Sequence, residues 1–308
     1  LQDADEAGYF YHDLTQIAGD DNVLFYPSGY RRAVKYGQRD AANEILRTET
    51  LSRLGSFGRD GRGPKGSLFV VSEPSAIAEL VVSKKRLDSR TLTLKVGQTA
   101  DIIDIEKTLR DFGFTQTDYV YEPGQFAVRG SILDVYSFSS ELPFRVDFFG
   151  NDIDTIRTFE VESQLSHDKL DAISVVPELA TLTEEKVPFL QFLPEGSILV
   201  MKNYLYVHDT IQRVYDDGFS SQAITEQLEG HTEVEQAEIR SELRRESQLI
   251  TGSQFTDDAS RFTRIEFGSE PTGTPAAKLT FDIEPQPLYH KNFELLERSL
   301  EDYLLQQY

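Results

Sequence analysis

Apolar positions along this chain recur in two periods, and the change from one to the other divides it. Near the start, Ala7, Phe10, Tyr11, Leu14 and Ile17 recur at helical spacing behind an acidic first turn of Asp3, Asp5 and Glu6. That spacing predicts a helix over residues 1–19, ended by Gly19. Residues 22–26 (NVLFY) predict a short buried strand closed by Pro27, Ser28 and Gly29. A second amphipathic helix is expected over residues 41–54, using Ile45, Leu46, Leu51 and Leu54. A polar loop at 55–66 leads to a strand at 67–72 and a helix at 74–84. Strand, helix, strand and helix with short connections predict a parallel α/β layer.

From about residue 88 the period shortens to two. Residues 91–96 alternate strictly, as an antiparallel or edge strand does, and residues 102–112 predict one helix capped by Asp101. A β-meander follows, with strand candidates at 125–136, 142–149 and 154–159 separated by turn-forming runs. In the second of these, Phe144, Val146 and Phe148 point to one face and Arg145, Asp147 and Phe149 to the other. A large aromatic on the charged face has little reason to be there for the sake of the fold. Gly130, beside Arg129, suggests a bulge or a close backbone approach. The α/β pattern resumes with a strand at 196–202 and a helix at 207–216. Residues 221–262 read as mostly helical and heavily charged, most clearly at 234–249. A strand is expected at 279–283, and a last helix over 291–305 with Phe293, Leu296, Leu300 and Leu304 on one face. The fold class is therefore α/β, a parallel-sheet domain at 1–87 and 178–308 split by an inserted α+β domain with an antiparallel sheet at 88–177.

Composition narrows the chemistry. With 31 Lys and Arg against 52 Asp and Glu, the net charge is −21, which opposes non-specific binding to duplex DNA. The strongest local exception is Arg31, Arg32, Lys35 and Arg39. Twenty Phe and 14 Tyr supply a real core, and the absence of Cys excludes disulfides, thiolate zinc sites and a Cys nucleophile. No apolar run approaches the roughly 18 residues of a membrane span, so a cytoplasmic protein is expected. Starting at Leu1 with a single Met, the chain reads as a fragment of something longer, and a monomer. His12, His167, His208, His231 and His290 have no ligand spacing, so no metal site is expected, and no catalytic carboxylate pair or nucleophile motif stands out. A phosphate-cradling loop of the form G-x-x-x-x-G-K-[ST] is missing; the run from Gly61 to Ser67 has its letters in the wrong spacing, and Pro64 removes an N–H. No cofactor is expected in these residues.

The run EPGQFAVRGSILDVYSFSSELPFRVDFFGNDIDTIRTFEVESQ, with NVLFYPSGYRR before it and QPLYHKNFELL after it, strongly resembles the N-terminal, UvrB-like module of bacterial transcription-repair coupling factors (Mfd). The resemblance implies a helicase-type α/β domain that has lost its P-loop and an inserted domain that binds the nucleotide-excision-repair protein UvrA. Matched within AVRG, PFRVDFF and the same FF, it implies that Arg129, Arg145 and Phe149 form the UvrA-binding surface. It further implies that the intact protein is an ATP- and Mg²⁺-dependent translocase acting on DNA and displacing stalled RNA polymerase, whereas this fragment is a binding module and not an enzyme. The alternative is a fragment of an ATP-dependent UvrB-type repair helicase. UvrB carries a long aromatic-rich, DNA-clamping hairpin after the equivalent of NVLFYPSGY. Here only RRAVKYGQR intervenes, with Tyr36 as its single aromatic.

Overall fold

The protein is described from a computed structural model covering residues 1–30, 40–57, 67–179, 186–217, 232–233, 248–267, 271–281 and 292–305. The basic cluster between Arg31 and Arg39, most of the Gly61–Ser67 loop, His231, His290, residues 234–247 of the charged helical stretch and the end of the 279–283 strand lie outside the described residues. The chain forms two compact units, Leu1–Pro271 and Thr272–Tyr308.

Helix α1 (Ala4–Ala18) starts where the Asp3 carboxylate accepts from the Glu6 N–H, and ends at Gly19, whose φ of 85° suits glycine. Its buried side is narrower than its apolar stripe suggests. Ala7 is buried against Val23 and Val71 and Tyr11 and Leu14 are half-buried, but Phe10 and Ile17 are exposed. That layer begins with the parallel pair β1 (Val23–Tyr26) and β2 (Phe69–Ser72). Between them runs α2 (Ala41–Ser56), capped by Asp40.

The expected helix at 74–84 is broken in two. A single turn, α3 (Pro74–Ile77), gives way to β3 (Leu80–Val82), and α4 (Lys84–Ser89) follows. The run Leu80-Val81-Val82 suits a strand, and it finds a partner far along the chain in Lys186–Pro188.

Next come β4 (Leu92–Lys95), α5 (Ile102–Asp111, capped by Asp101) and β5 (Thr115–Gln116). The remaining strands of this region are β6 (Gln125–Arg129), β7 (Ile132–Val135), β8 (Phe144–Phe149), β9 (Asp152–Phe159), β10 (Ser166–Leu170) and β11 (Ala172–Val175). The meander is thus larger than the pattern indicates, a six-stranded sheet of order β10-β9-β8-β7-β6-β5, antiparallel except where β5 joins β6. The 125–136 segment is two strands rather than one. Gly130, with φ of 63°, leads a two-residue turn that pairs Arg129 with Ile132. One face of the sheet, carrying Phe126, Leu133, Val135, Phe144, Val146 and Phe148, packs with Ile105 and Leu109 of α5 and with Leu94 and Ile173 of the separate β4–β11 pair.

Beyond it, β12 (Lys186–Pro188) pairs with β3 and leads through α6 (Phe189–Phe192) to β13 (Ile198–Met201). Helices α7 (Tyr204–Asp217) and α8 (Gly252–Ala259) then precede β14 (Thr263–Glu266), parallel to β13. The chain is therefore a mixed α/β structure with several sheets. A second core, containing Tyr26, Leu51, Val81, Phe189, Phe192, Ile211 and Phe255, joins α2, β3, α6, α7 and α8. In the other unit, residues 279–281 form no strand, and α9 (Phe293–Leu305) leaves Phe293, Leu300 and Leu304 exposed.

Candidate protein-binding face

The face of the six-stranded sheet turned away from α5 is built by strict pairing. Register sets Arg129 beside Ile132, Ile132 beside Asp147, and Asp147 beside Thr155. The next row sets Ala127, Asp134, Arg145 and Arg157 side by side. Paired residues project from the same side of a sheet. Alternation in β8 therefore places Arg145, Asp147 and Phe149 on this face, as its pattern predicts, with burial following suit. Arg129 reaches the same face from a strand two places away, since β7 intervenes between β6 and β8.

Asp134 anchors the face. Its side chain is fully buried, and two guanidiniums close over it. Arg145 donates from Nε to Asp134 Oδ1 at 2.7 Å and from Nη2 to Oδ2 at 2.9 Å, a bidentate fork. Arg129 donates to the same Oδ2. A carboxylate removed from water requires this pairing, because an unpaired buried charge is heavily penalised. The hydrogen bond to Asp134 holds the Arg145 guanidinium above its usual range, against the opposing effect of its own burial.

Each arginine is also fixed by a carbonyl and an aromatic ring. Arg145 Nη1 donates to the Gln164 carbonyl at 3.0 Å and stacks 4.3 Å from the Phe159 centroid. Arg129 Nη1 donates to the Asp118 carbonyl at 2.9 Å, with Tyr119 5.0 Å away. Gln164 is the only non-glycine residue with positive φ among the described residues, at 58°. Its side-chain amide donates to the Val161 carbonyl at 2.8 Å, which ties down the turn that receives Arg145.

These contacts leave neither arginine fully exposed. The Arg145 side chain is 14% exposed, and its main partner is Asp134. Asp147 instead pairs with Arg157 and accepts from Thr155 Oγ1 at 2.9 Å. The signal for Asp134 was one acid inside the apolar run Ile132-Leu133-Asp134-Val135, with a period that places it on the arginine face.

Phe149 is different. It is 82% exposed, at the end of β8 where Gly150 turns the chain into β9. The neighbouring Phe148 is buried, and its N–H donates to the Ser131 carbonyl at 2.8 Å. That bond ties the rim carrying Phe149 to the Gly130-Ser131 turn beside Arg129. Arg129 and Phe149 are thus rooted toward the same end of the sheet, and the Arg129 guanidinium, 34% exposed, reaches back from there to Asp134.

The pattern missed a second polar cluster, in the α/β layer. Helix α2 buries Glu44, Arg47, Thr48 and Thr50 along with Leu51 and Leu54. Arg47 Nη2 meets Glu79 Oε2 at 3.1 Å, and its Nη1 donates to the Pro27 carbonyl at 2.8 Å. Glu79 also accepts from Ser28 Oγ at 2.6 Å and from the Gly29 N–H. A side chain at Gly29 would collide with the Glu44 carboxylate. Burial acts most strongly against the Arg47 charge, but Glu79, Tyr26, Glu44 and Tyr30 together outweigh it, leaving its pKa raised. Among the described residues no group of His, Asp and Glu is arranged to hold a metal, and no helix is long and apolar enough to cross a membrane.

The face thus combines a fixed arginine–carboxylate ladder with an exposed aromatic at its rim. Residues 92–180 match the family profile described as the UvrB interaction domain. The chain is also similar to proteins named transcription-repair-coupling factor. It is 28% identical to that of Bacillus subtilis over 62% of this chain and 16% of the relative. Against Haemophilus influenzae it is 33% identical over 56% and 14%, and against Escherichia coli 37% identical over 41% and 11%. The matches span less than a fifth of each relative's length. Residues 92–180 thus match a UvrB interaction domain, and part of the chain is similar to the transcription-repair-coupling factors.

Proposed function

We propose that this chain is the non-catalytic N-terminal module of a transcription-repair coupling factor and recruits UvrA to sites of stalled RNA polymerase. The observation that carries the reading is Phe149, a large aromatic held in water inside the matched span, beside arginines whose guanidiniums are already positioned. Aromatic and Arg side chains dominate interface hot spots, and prior ordering lowers the entropic cost of binding. In this reading Phe149 fills an apolar pocket on UvrA while Arg129 and Arg145 face acidic groups at its edge.

The architecture follows the same assignment. A helicase-type α/β domain without a P-loop, at 1–87 and 178–308, holds out an inserted domain at 88–177. The module takes no cofactor and works in the cytoplasm. ATP, Mg²⁺, DNA and RNA polymerase are assigned to the parts of the relatives outside the matched spans. Titration calorimetry of the chain with purified UvrA tests the reading. Phe149→Ala should weaken the complex by at least about 30-fold, the effect of losing a ~2 kcal/mol hot spot. Its melting temperature should stay close to that of the parent, as for other exposed substitutions. Parent-like affinity in a folded Phe149→Ala variant would sink the assignment.

A further inference from the structure

Sheet register places two more cations in the rows that hold the arginines. Arg157 of β9 lies directly across from Arg145, and Lys169 of β10 lies directly across from Arg157. Like charges directly opposite one another in a sheet repel. The sheet accommodates Arg145 and Arg157 by giving each its own carboxylate, Asp134 for the first and Asp147 for the second. Lys169 is exposed, and the Arg157 side chain is 30% exposed. Across five strands the face thus sets Arg129, Arg145, Arg157 and Lys169 against Asp134, Asp147 and, opposite Phe149 at the rim, Asp152. The excess is positive, on a chain whose net charge is −21. Asp134 is buried beneath the guanidiniums, so away from the rim an approaching surface meets mainly the cations.

We infer that Arg157 and Lys169 extend the UvrA-binding face beyond Phe149, Arg129 and Arg145, and that the surface they meet on UvrA is acidic. This rests on the UvrA reading given above. The two residues differ in kind. Arg157 presents a fork held by Asp147, suited to a partner carboxylate. Lys169 lies farther along the face and acts chiefly on approach, because exposed interface charges set association rate and salt dependence more than lifetime. Duplex DNA is the other surface that such a row of cations fits. Long-range repulsion from the rest of the chain and the carboxylates interleaved in the row both favour an acidic protein.

The test is the association rate and affinity of the chain for purified UvrA, measured at low and physiological salt. Lys169→Glu should slow association about five- to tenfold at low salt and flatten its salt dependence. Arg157→Gln should weaken binding about tenfold, and Arg157→Lys should restore part of that loss by restoring the charge. Thermal melts accompany each variant, and Lys169→Glu, at an exposed position, carries the test if Arg157→Gln does not fold. Phe149→Ala measured in parallel separates the two ideas. If it loses binding while Lys169→Glu and Arg157→Gln associate like the parent at every salt concentration, the extended face is wrong and the UvrA reading survives. If Phe149→Ala also binds like the parent, the UvrA reading falls and takes the inference with it. A gel shift in which the parent binds duplex DNA tightly and Lys169→Glu does not would reassign the face to nucleic acid and overturn the proposal.

Discussion

Two regions of this molecule bury a carboxylate beneath an arginine, and they do so to different ends. In the α/β layer, Glu79 and Arg47 are 3% and 5% exposed and bonded to backbone groups at 27 and 29, with Tyr26 stacked under the guanidinium. In the six-stranded sheet, Asp134 is equally buried, but its two arginines are 14% and 34% exposed. The first network is enclosed and fixes how β1, α2 and the start of β3 pack. The second uses the buried acid to fix cations that remain available. A buried ion pair alone is therefore weak evidence of a binding role. The exposure of the cationic partner is the discriminating quantity.

The comparison can be broken most forcefully at Glu79. Glu79→Ala leaves Arg47 buried without its carboxylate and removes the acceptor for Ser28 and Gly29. Removing one member of a buried pair costs about 3–5 kcal/mol, and chemical denaturation should show a loss of that size. Phe148→Ala should lose a similar amount, about 3–5 kcal/mol, by opening a cavity under β8. A smaller loss at Phe148 than at Phe149 would mean that the faces of β8 are reversed.

Arg145→Glu comes next. Judged from strand alternation alone, Arg145 belongs to an exposed face and the change should scarcely affect stability. Its bidentate contact with Asp134 says otherwise. The substitution sets a second carboxylate against a buried one, and only Arg129 remains to offset it. The expected loss is about 3 kcal/mol, discounted from the value for a fully buried pair because the site is open on one side. A melt like the parent's would show that Asp134 does not depend on Arg145. Any loss of UvrA binding by this variant must then be read against its stability, which makes Phe149→Ala the cleaner probe of the face.

Much of this was legible in the sequence, and the reasons for the exceptions are physical. Period-two alternation placed Phe148 inside and Phe149 outside because β8 is long, regular and packed on one face only. Asp101 was legible as a cap because capping is local. The division of 125–136 was signalled by Gly130-Ser131, a two-residue hairpin pair, but one glycine in an apolar run suits a bulge within a single strand as well. The 74–84 helix failed because β3 is stabilised by β12, about a hundred residues away, and no local signal reports that pairing. Strand β10 was missed because its residues are almost all exposed and polar. Asp134 and Glu79 escaped for a shared reason: a buried acid looks like any other acid until its cation is placed beside it.

The smallest expected effect belongs to Arg129, and it sharpens the comparison most. In Arg129→Ala, Asp134 keeps the Arg145 fork through both oxygens, so the buried charge stays paired. What is lost is one partly exposed, solvent-screened contact with Asp134, a bond to the Asp118 carbonyl and the contact with Tyr119. Together these should be worth about 1 kcal/mol of stability. Affinity for UvrA should fall more than stability does, by about tenfold, because the lost guanidinium belongs to the same sheet face as Phe149. The analogous truncation in the buried network, Arg47→Ala, should show the opposite balance: a large loss of stability and an unchanged affinity for the fraction that stays folded. If Arg129→Ala costs as much stability as Arg47→Ala, the six-stranded sheet's network is structural in the same sense as that of the α/β layer. Exposure of the cation would then have no bearing on which of the two meets a partner.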